Sequence, residues 1–443
     1  MIVRNFLQWA QTASAAQRAE GAGALARAYL YSDMEAPARR QAELALTALL
    51  DDASPLVRRA LADNFASAVD APRAIVAALA SDQSDIASPV LSRSPLLTEA
   101  ELIDCAAIGD SFAQSAIALR ACVPAGVCAA LAEIGSREAA ISLSVNPGAD
   151  LPEFSMRRMV ERFGDDGEMR EALLARPYLP ATVRNDLVNA TAASLMSFVI
   201  DCSWLSAERA QRLTRETRDK ANVIIITEAA ARDGRQGVRD LVAHLRASRQ
   251  LTASLVLRAL LSGNRDLFQA ALVELSGLRE DKVAGLVRDF RGAGFAALYG
   301  RAGLPQSLLP AFRAALEAQR EFGDVHAQCG EAQLSLVMIQ RVLTACDEIN
   351  SGELGKLMAL LRRFEMEAAL EEARAEALRL AAEAAAPAPE IAAPSQNAFA
   401  DDAPPFEAPA IDFAAIHAAA PGATSYAPII DMTALEAYLG LAA

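Results

Sequence analysis

The chain has 443 residues, 53% of them hydrophobic but only 5% aromatic, so Ala, Leu and Val carry the apolar content. Small side chains of high helix propensity suit close helix–helix packing rather than a sheet core. A formal net charge of −14, with lysine only at Lys220, Lys282 and Lys356, argues against a protein that lives on nucleic acid, which needs a dense basic footprint.

In chain order, the first segment MIVRNFLQWAQ has no apolar core of the kind a signal peptide needs, and no apolar run approaches the length of a membrane span. Arg18 to Tyr31 and Pro37 to Leu50 read as two amphipathic helices. SPLVRRALADNF (54–65) opens a third on a proline, and a fourth is expected at roughly 72–80. From here to about 190 a repeat sets the reading. Pro124, Pro152 and Pro180 lie 28 residues apart, and Pro95 lies 29 before the first. Each proline is followed by about ten residues with apolar positions three and four apart. These lead to Ile108-Gly109, Ile134-Gly135 or Phe163-Gly164, then to a second helical segment. Proline fits the first helical turn, where its missing N–H has no intrahelical partner. Glycine is expected to close each helix in the left-handed conformation. Two helices of about 15 Å cannot bury their apolar faces alone, but stacked pairs can.

Beyond 190 the register fades but helical periodicity continues. It runs through 251–263, 266–277, 279–290 and 304–316, with Gly263, Gly277, Gly292 and Gly294 as punctuation. Val223 to Ile226 reads as a buried helix segment rather than a strand. Residues 330–350 form one apolar-striped helix. The Ala/Glu/Arg-rich stretch 364–386 is a long helix that either caps the array or forms a short coiled coil. After 386 the chain is Pro/Ala-rich, with seven acidic and no basic residues, and is expected to be disordered. The fold class is therefore all-α: an α-solenoid of helical hairpins of about 28 residues, followed by C-terminal helices and an acidic tail. The boundaries are 1–190 and 191–328 for two repeat regions, 329–385 for the C-terminal helices, 386–428 for the linker and 429–443 for a short amphipathic helix.

The stretches DDASPLVRRALADNFA (51–66) and DQSDIASPVLSRSPLLTEAELI (82–103) resemble an uncharacterised alphaproteobacterial family. Its members carry a domain of unknown function with HEAT-like or leucine-rich-repeat-variant-like helical repeats. The resemblance covers roughly 30–320 and implies a helical-repeat fold in a bacterial cytoplasmic protein. It brings no activity and no site residues.

The residues themselves offer little chemistry. No GxSxG, P-loop, HExxH or GxGxxG is present. Six cysteines, at 105, 122, 128, 202, 329 and 346, form no CxxC and have no histidine at metal-ligand spacing. They read as small buried thiols. His244 lies among apolar residues on a helix, and Asp51-Asp52 and Asp165-Asp166 fall where acids cap helices. No cofactor, metal or catalytic set is expected. Arg58, Arg59, Arg157, Arg158 and Arg184 all follow a proline by three to six residues, so stacking should align them in one column. Such a column is either an internal ladder with Asp52, Asp166 or Asp186, or a groove for an acidic or phosphorylated partner. The expected function is a non-enzymatic interaction scaffold or adaptor with an unknown protein partner and no membrane. A nucleic-acid-binding repeat protein is the alternative. A last candidate is the chain end, where Met432, Leu435, Tyr438 and Leu439 give a short helix an apolar face. It would dock on a partner or on the chain's own solenoid.

Overall fold

Proline begins helices where the repeat requires it. The computed structural model describes residues 8–322, 335–347 and 355–385. Its N-terminal helices are α1 (Ala15–Tyr31), α2 (Ala36–Ala48), α3 (Pro55–Phe65), α4 (Arg73–Ala80), α5 (Ser84–Arg93), α6 (Glu99–Ile108), α7 (Ser111–Ala118), α8 (Ala125–Ile134), α9 (Arg137–Val145), α10 (Glu153–Phe163), α11 (Gly167–Leu174) and α12 (Ala181–Asp201). Pro124, Pro152 and Pro180 are the N-caps of α8, α10 and α12. Pro95 sits one turn earlier. There the capping box of Thr98 and Glu101 starts α6 instead.

Alternate helices pack on each other in two layers. α1, α3, α5, α7, α9 and α11 follow one another in the first, and α6, α8, α10 and α12 in the second. Helix α5 was not foreseen, and it accounts for the long interval before Pro95. It carries a proline in its interior, Pro89. Pro89 has no N–H for the carbonyl of Asp85, four residues back. The Arg59 guanidinium supplies that carbonyl with a donor. A lone bridge joins Val123 to Ala149 between consecutive repeats, and no β-strand occurs among the described residues.

The glycines that end the proline-marked helices act otherwise than expected, although Gly277, with a φ of +66°, does end its helix in the left-handed conformation. Gly109, Gly135 and Gly164 are C-caps, but their φ values are −70°, −62° and −67°, outside the left-handed region. Glycine is needed there for close approach. A Cβ on Gly135 would lie 2.4 Å from the carbonyl oxygen of Leu131, and one on Gly109 would lie 2.9 Å from the Cβ of Ala113.

The second half comprises α13 (Ala207–Ala247), α14 (Ala253–Leu261), α15 (Arg265–Ser276), α16 (Glu280–Arg288), α17 (Ala293–Arg301), α18 (Leu309–Phe322), α19 (Leu336–Asp347) and α20 (Gly355–Ala385). α13 is kinked at Gly234, whose φ of +62° and ψ of −151° suit a residue without a side chain. Val223, Ile225 and Ile226 are buried within α13, as helix.

Buried apolar side chains form two clusters. One runs from Ala22 to Leu187, the other from Val223 to Ala368. α19 and α20 contribute Ile339, Val342, Leu361 and Phe364 to the second. Between 188 and 218 only Ala210 is fully buried; Val188 and Ala190 still pack against the second and first clusters, and the chain from 191 to 218 contributes to neither. Cys128 and Cys346 are buried as expected, but Cys122 and Cys202 are exposed. Cys122 follows the last turn of α7, and Cys202 caps α12, where the chain leaves a helix and no layer covers it. The acidic linker, the chain-end helix with Met432, Leu435, Tyr438 and Leu439, and Cys329 lie outside the described residues.

Candidate interaction site

The last carbonyls of an α-helix have no partner within it. Here arginines one repeat further along the chain take them. Arg120 donates to the carbonyls of Leu91 and Ser94 at the end of α5, the latter at 2.6 Å. Arg162 donates to Ala132 and Gly135 at the end of α8, both at 2.8 Å. Arg176 reaches Ser144 in the last turn of α9 and Asn146 and Ala149 just past it, at 2.8, 3.2 and 3.1 Å. Arg301 on Ser276 at 2.8 Å and Arg313 on Phe290 at 3.1 Å repeat the device in the second half. Burial pushes the Arg120 and Arg162 guanidinium groups down from their ordinary value. None of these arginines stood out in the sequence. Their signal was a constant offset of roughly one period from the preceding helix end.

A second set of arginines meets carboxylates. Arg18 forks onto Asp52 at 2.7 and 2.9 Å, and Arg58 onto Asp82 at 2.7 and 3.1 Å. Arg137 pairs with Asp166 and, at 2.6 Å, with Glu168. Arg157 meets Asp186 at 3.0 Å. Arg158 meets Glu133 at 2.7 Å and Glu161 at 3.0 Å, and Arg184 meets Glu228. The exposed pairs among them, such as Arg158 with Glu133, contribute only about 0–1 kcal/mol each, while Arg18–Asp52 and Arg58–Asp82 are partly buried. They fix the register of one repeat on the next more than they add stability. His244 is buried, with Nε2 2.8 Å from Asp186, so that carboxylate joins α10, α12 and α13.

The five candidate arginines do not form one column. Arg58 and Arg59 are on α3, in the first layer; Arg157 and Arg158 on α10 and Arg184 on α12 are in the second. The unforeseen α5 is the cause. One additional helix before the proline-marked units moves those units to the opposite layer.

Arg157 and Arg158 do share a site. They line a cavity of about 330 Å³ between α8 and α10, with Ala129, Ala132, Glu133, Phe154, Ser155 and Glu161. Phe154 is 64% exposed at its edge. The Ser155 hydroxyl in its wall is buried and has no hydrogen-bond partner among the described residues.

The ladder carries a pH dependence. Arg137, with the N–H groups of Met169 and Glu168, holds the Asp166 carboxyl down at about 2. Arg18 and the N–H of Ser54 hold Asp52 below the usual carboxylate range. Folded values below the unfolded value of about 4 mean stability that is present above pH ~4 and lost as pH falls through the folded value. The melting temperature is therefore expected to be level near neutrality and to fall between pH ~4 and ~2. Asp166→Asn should flatten that fall, and an identical acid profile in the variant would remove Asp166 from the linkage.

The sequence profile of a family described as "Uncharacterised protein conserved in bacteria (DUF2336)" matches residues 86–351. The chain belongs to the DUF2336 family. No curated protein and no solved structure matches it. The DUF2336 segment starts inside α5, so it takes in the proline-marked repeats and most of the second core. Arg157, Arg158, Arg184 and the cavity at Phe154 lie within it; Arg58 and Arg59 precede it. The described residues of this DUF2336 protein hold no cluster of three or more His, Cys, Asp or Glu suited to a metal ion. None of its described helices is long and apolar enough to cross a membrane.

Proposed function

We propose that this protein is a non-enzymatic interaction scaffold of the bacterial cytoplasm: a HEAT-like α-solenoid that presents the outer face of its second layer to a protein partner. The observation that carries the reading is the cavity between α8 and α10, with exposed Phe154 beside Arg157 and Arg158. Aromatic and arginine side chains around a pocket are the residue types that dominate binding energy between proteins. The two arginines share their charge with Glu133, Glu161 and Asp186. A face of balanced charge suits a protein surface better than a phosphate backbone, whose affinity comes from unpaired Lys and Arg.

The test is a photo-reactive residue at position 154, with Leu174 on the first layer as the control position. A protein adduct specific to 154 that survives nuclease is the expected result. Phe154→Ala should weaken the purified complex about tenfold or more, as loss of an anchor does, with helicity unchanged. Adducts that depend on nucleic acid, or the same adducts from both positions, would sink the reading and favour the alternative of a nucleic-acid-binding repeat protein.

A further inference from the structure

Three helices of the second layer, α6, α8 and α10, have a long polar side chain at their C-terminal end. At α6, Gln114 donates to the Ala106 carbonyl at 2.9 Å and accepts the N–H of Ser136 at 2.8 Å. At α8 the Arg162 guanidinium takes the place, and at α10 Arg170 donates to the Gly164 carbonyl at 2.8 Å. Gln114 and Arg170 both stand four residues past an N-cap, Asp110 and Asp166. Arg162 stands two residues before the C-cap of α10. One unit earlier, at the end of α4, both positions hold alanine. Ala87 is four residues past Gln83, the N-cap of α5, and Ala107 is two before Gly109, the C-cap of α6. An alanine side chain has no donor to offer. A cavity of about 230 Å³ opens there between α4, α5, α6 and α7, with Ala87 in its wall.

We propose that this cavity receives an arginine side chain of a protein partner, which completes the end of α4 as Arg162 completes the end of α8. Ala80 and Ser81 bring the C-terminal end of α4 to the cavity, and carbonyls at a helix end favour a cation. The Ala80 carbonyl receives the Cys105 thiol at 3.7 Å, a weak donor. Leu91, Ile108 and Ala113 line the cavity with apolar surface suited to the methylene stem of a long cationic side chain. Asp82, Asp104 and Asp110 add carboxylates. Arg58 already holds Asp82, whereas Asp104 and Asp110 have no ion pair among the described residues. The Ser84 hydroxyl and the N–H groups of Ala113 and Phe112 hold the Asp110 carboxyl below the usual range, so it stays charged. A neutral amide like that of Gln114 would serve the carbonyl and leave these carboxylates unmet. A guanidinium serves both, with several donors in one plane, and is less strongly hydrated than a lysine ammonium.

The experiment measures saturation transfer by NMR from the full chain to the peptide acetyl-Gly-Arg-Gly-amide at millimolar concentration. The comparison is the same peptide with citrulline, which keeps the shape of the side chain and loses its charge. Transfer to the arginine methylenes is the expected result, with the citrulline peptide bound about tenfold more weakly, the worth of a charge-assisted hydrogen bond. Ala87→Gln copies Gln114 into the cavity and should abolish the transfer with helicity unchanged. Asp104→Asn, at an exposed position, should weaken binding about tenfold and leave the fold alone. An arginine peptide that receives no transfer overturns the proposal. So does equal binding of the citrulline peptide. So does transfer undiminished in either variant, because the peptide would then sit on another acidic surface. Free arginine bound more tightly than the peptide would mark a metabolite site and overturn the assignment to a protein partner.

Discussion

Leu187→Asp is expected to destabilise the first core by about 4 kcal/mol, the sum of a lost buried leucine and an unpaired carboxylate. Leu187 is 2% exposed and is the last residue of the Ala22–Leu187 cluster. No cation stands ready to receive the new charge, since Arg184 is already paired with Glu228 and Arg157 with Asp186. Chemical denaturation would read the change as a lower midpoint, with Leu187→Met as a control costing under about 1.5 kcal/mol. A midpoint unmoved by the aspartate would mean that α12 presents a different face to the repeats.

The second large effect is expected at Arg258. This side chain is 3% exposed, forks onto Glu367 at 2.8 and 2.6 Å, and lies 4.6 Å over the Phe364 ring. It thereby fastens α20 to α14. Burial pushes the Glu367 carboxyl up, but its hydrogen bonds and charge pairing with Arg258 and Lys220 outweigh that and hold it below the usual range. Breaking one side of such a pair costs about 3–5 kcal/mol, whereas replacing both by apolar groups is close to neutral. Arg258→Met should therefore cost about 3 kcal/mol and speed amide exchange from Leu361 to Ala368, with the first core untouched. The double change with Glu367→Leu should restore most of the loss. Unchanged exchange in the single variant would show that Leu361 and Phe364 alone hold the helix.

What the sequence made legible was local. Pro124, Pro152 and Pro180 cap helices because proline acts on its own backbone within one turn. Helix α5 was hidden because it has no proline or acid at its N-cap, Gln83, and has a proline where a helix normally avoids one. Its omission reversed the layer assigned to Arg58 and Arg59. Gly277 ends α15 in the left-handed turn its letter suggests, but Gly109, Gly135 and Gly164 do not, since a φ near −65° and a tight carbonyl contact leave the same letter in the sequence. The grip of Arg120 on Leu91 and Ser94 was invisible, because nothing near Arg120 marks what lies one repeat behind it. For the same reason the cavity at Phe154 could not be anticipated. It depends on Glu133 and Arg158 meeting across 25 residues of chain.

The direction of the arginine contacts has a consequence for synthesis. Arg120, Arg162, Arg176, Arg301 and Arg313 each reach back toward the N-terminus, to a helix that the ribosome has already made. A nascent repeat therefore leaves the exit tunnel with its final carbonyls open to water. It is completed only when the next unit emerges, a few seconds later at ~5–20 residues per second. The newest end of the growing chain is always the unfinished one, and a nascent-chain chaperone would meet this protein one repeat at a time.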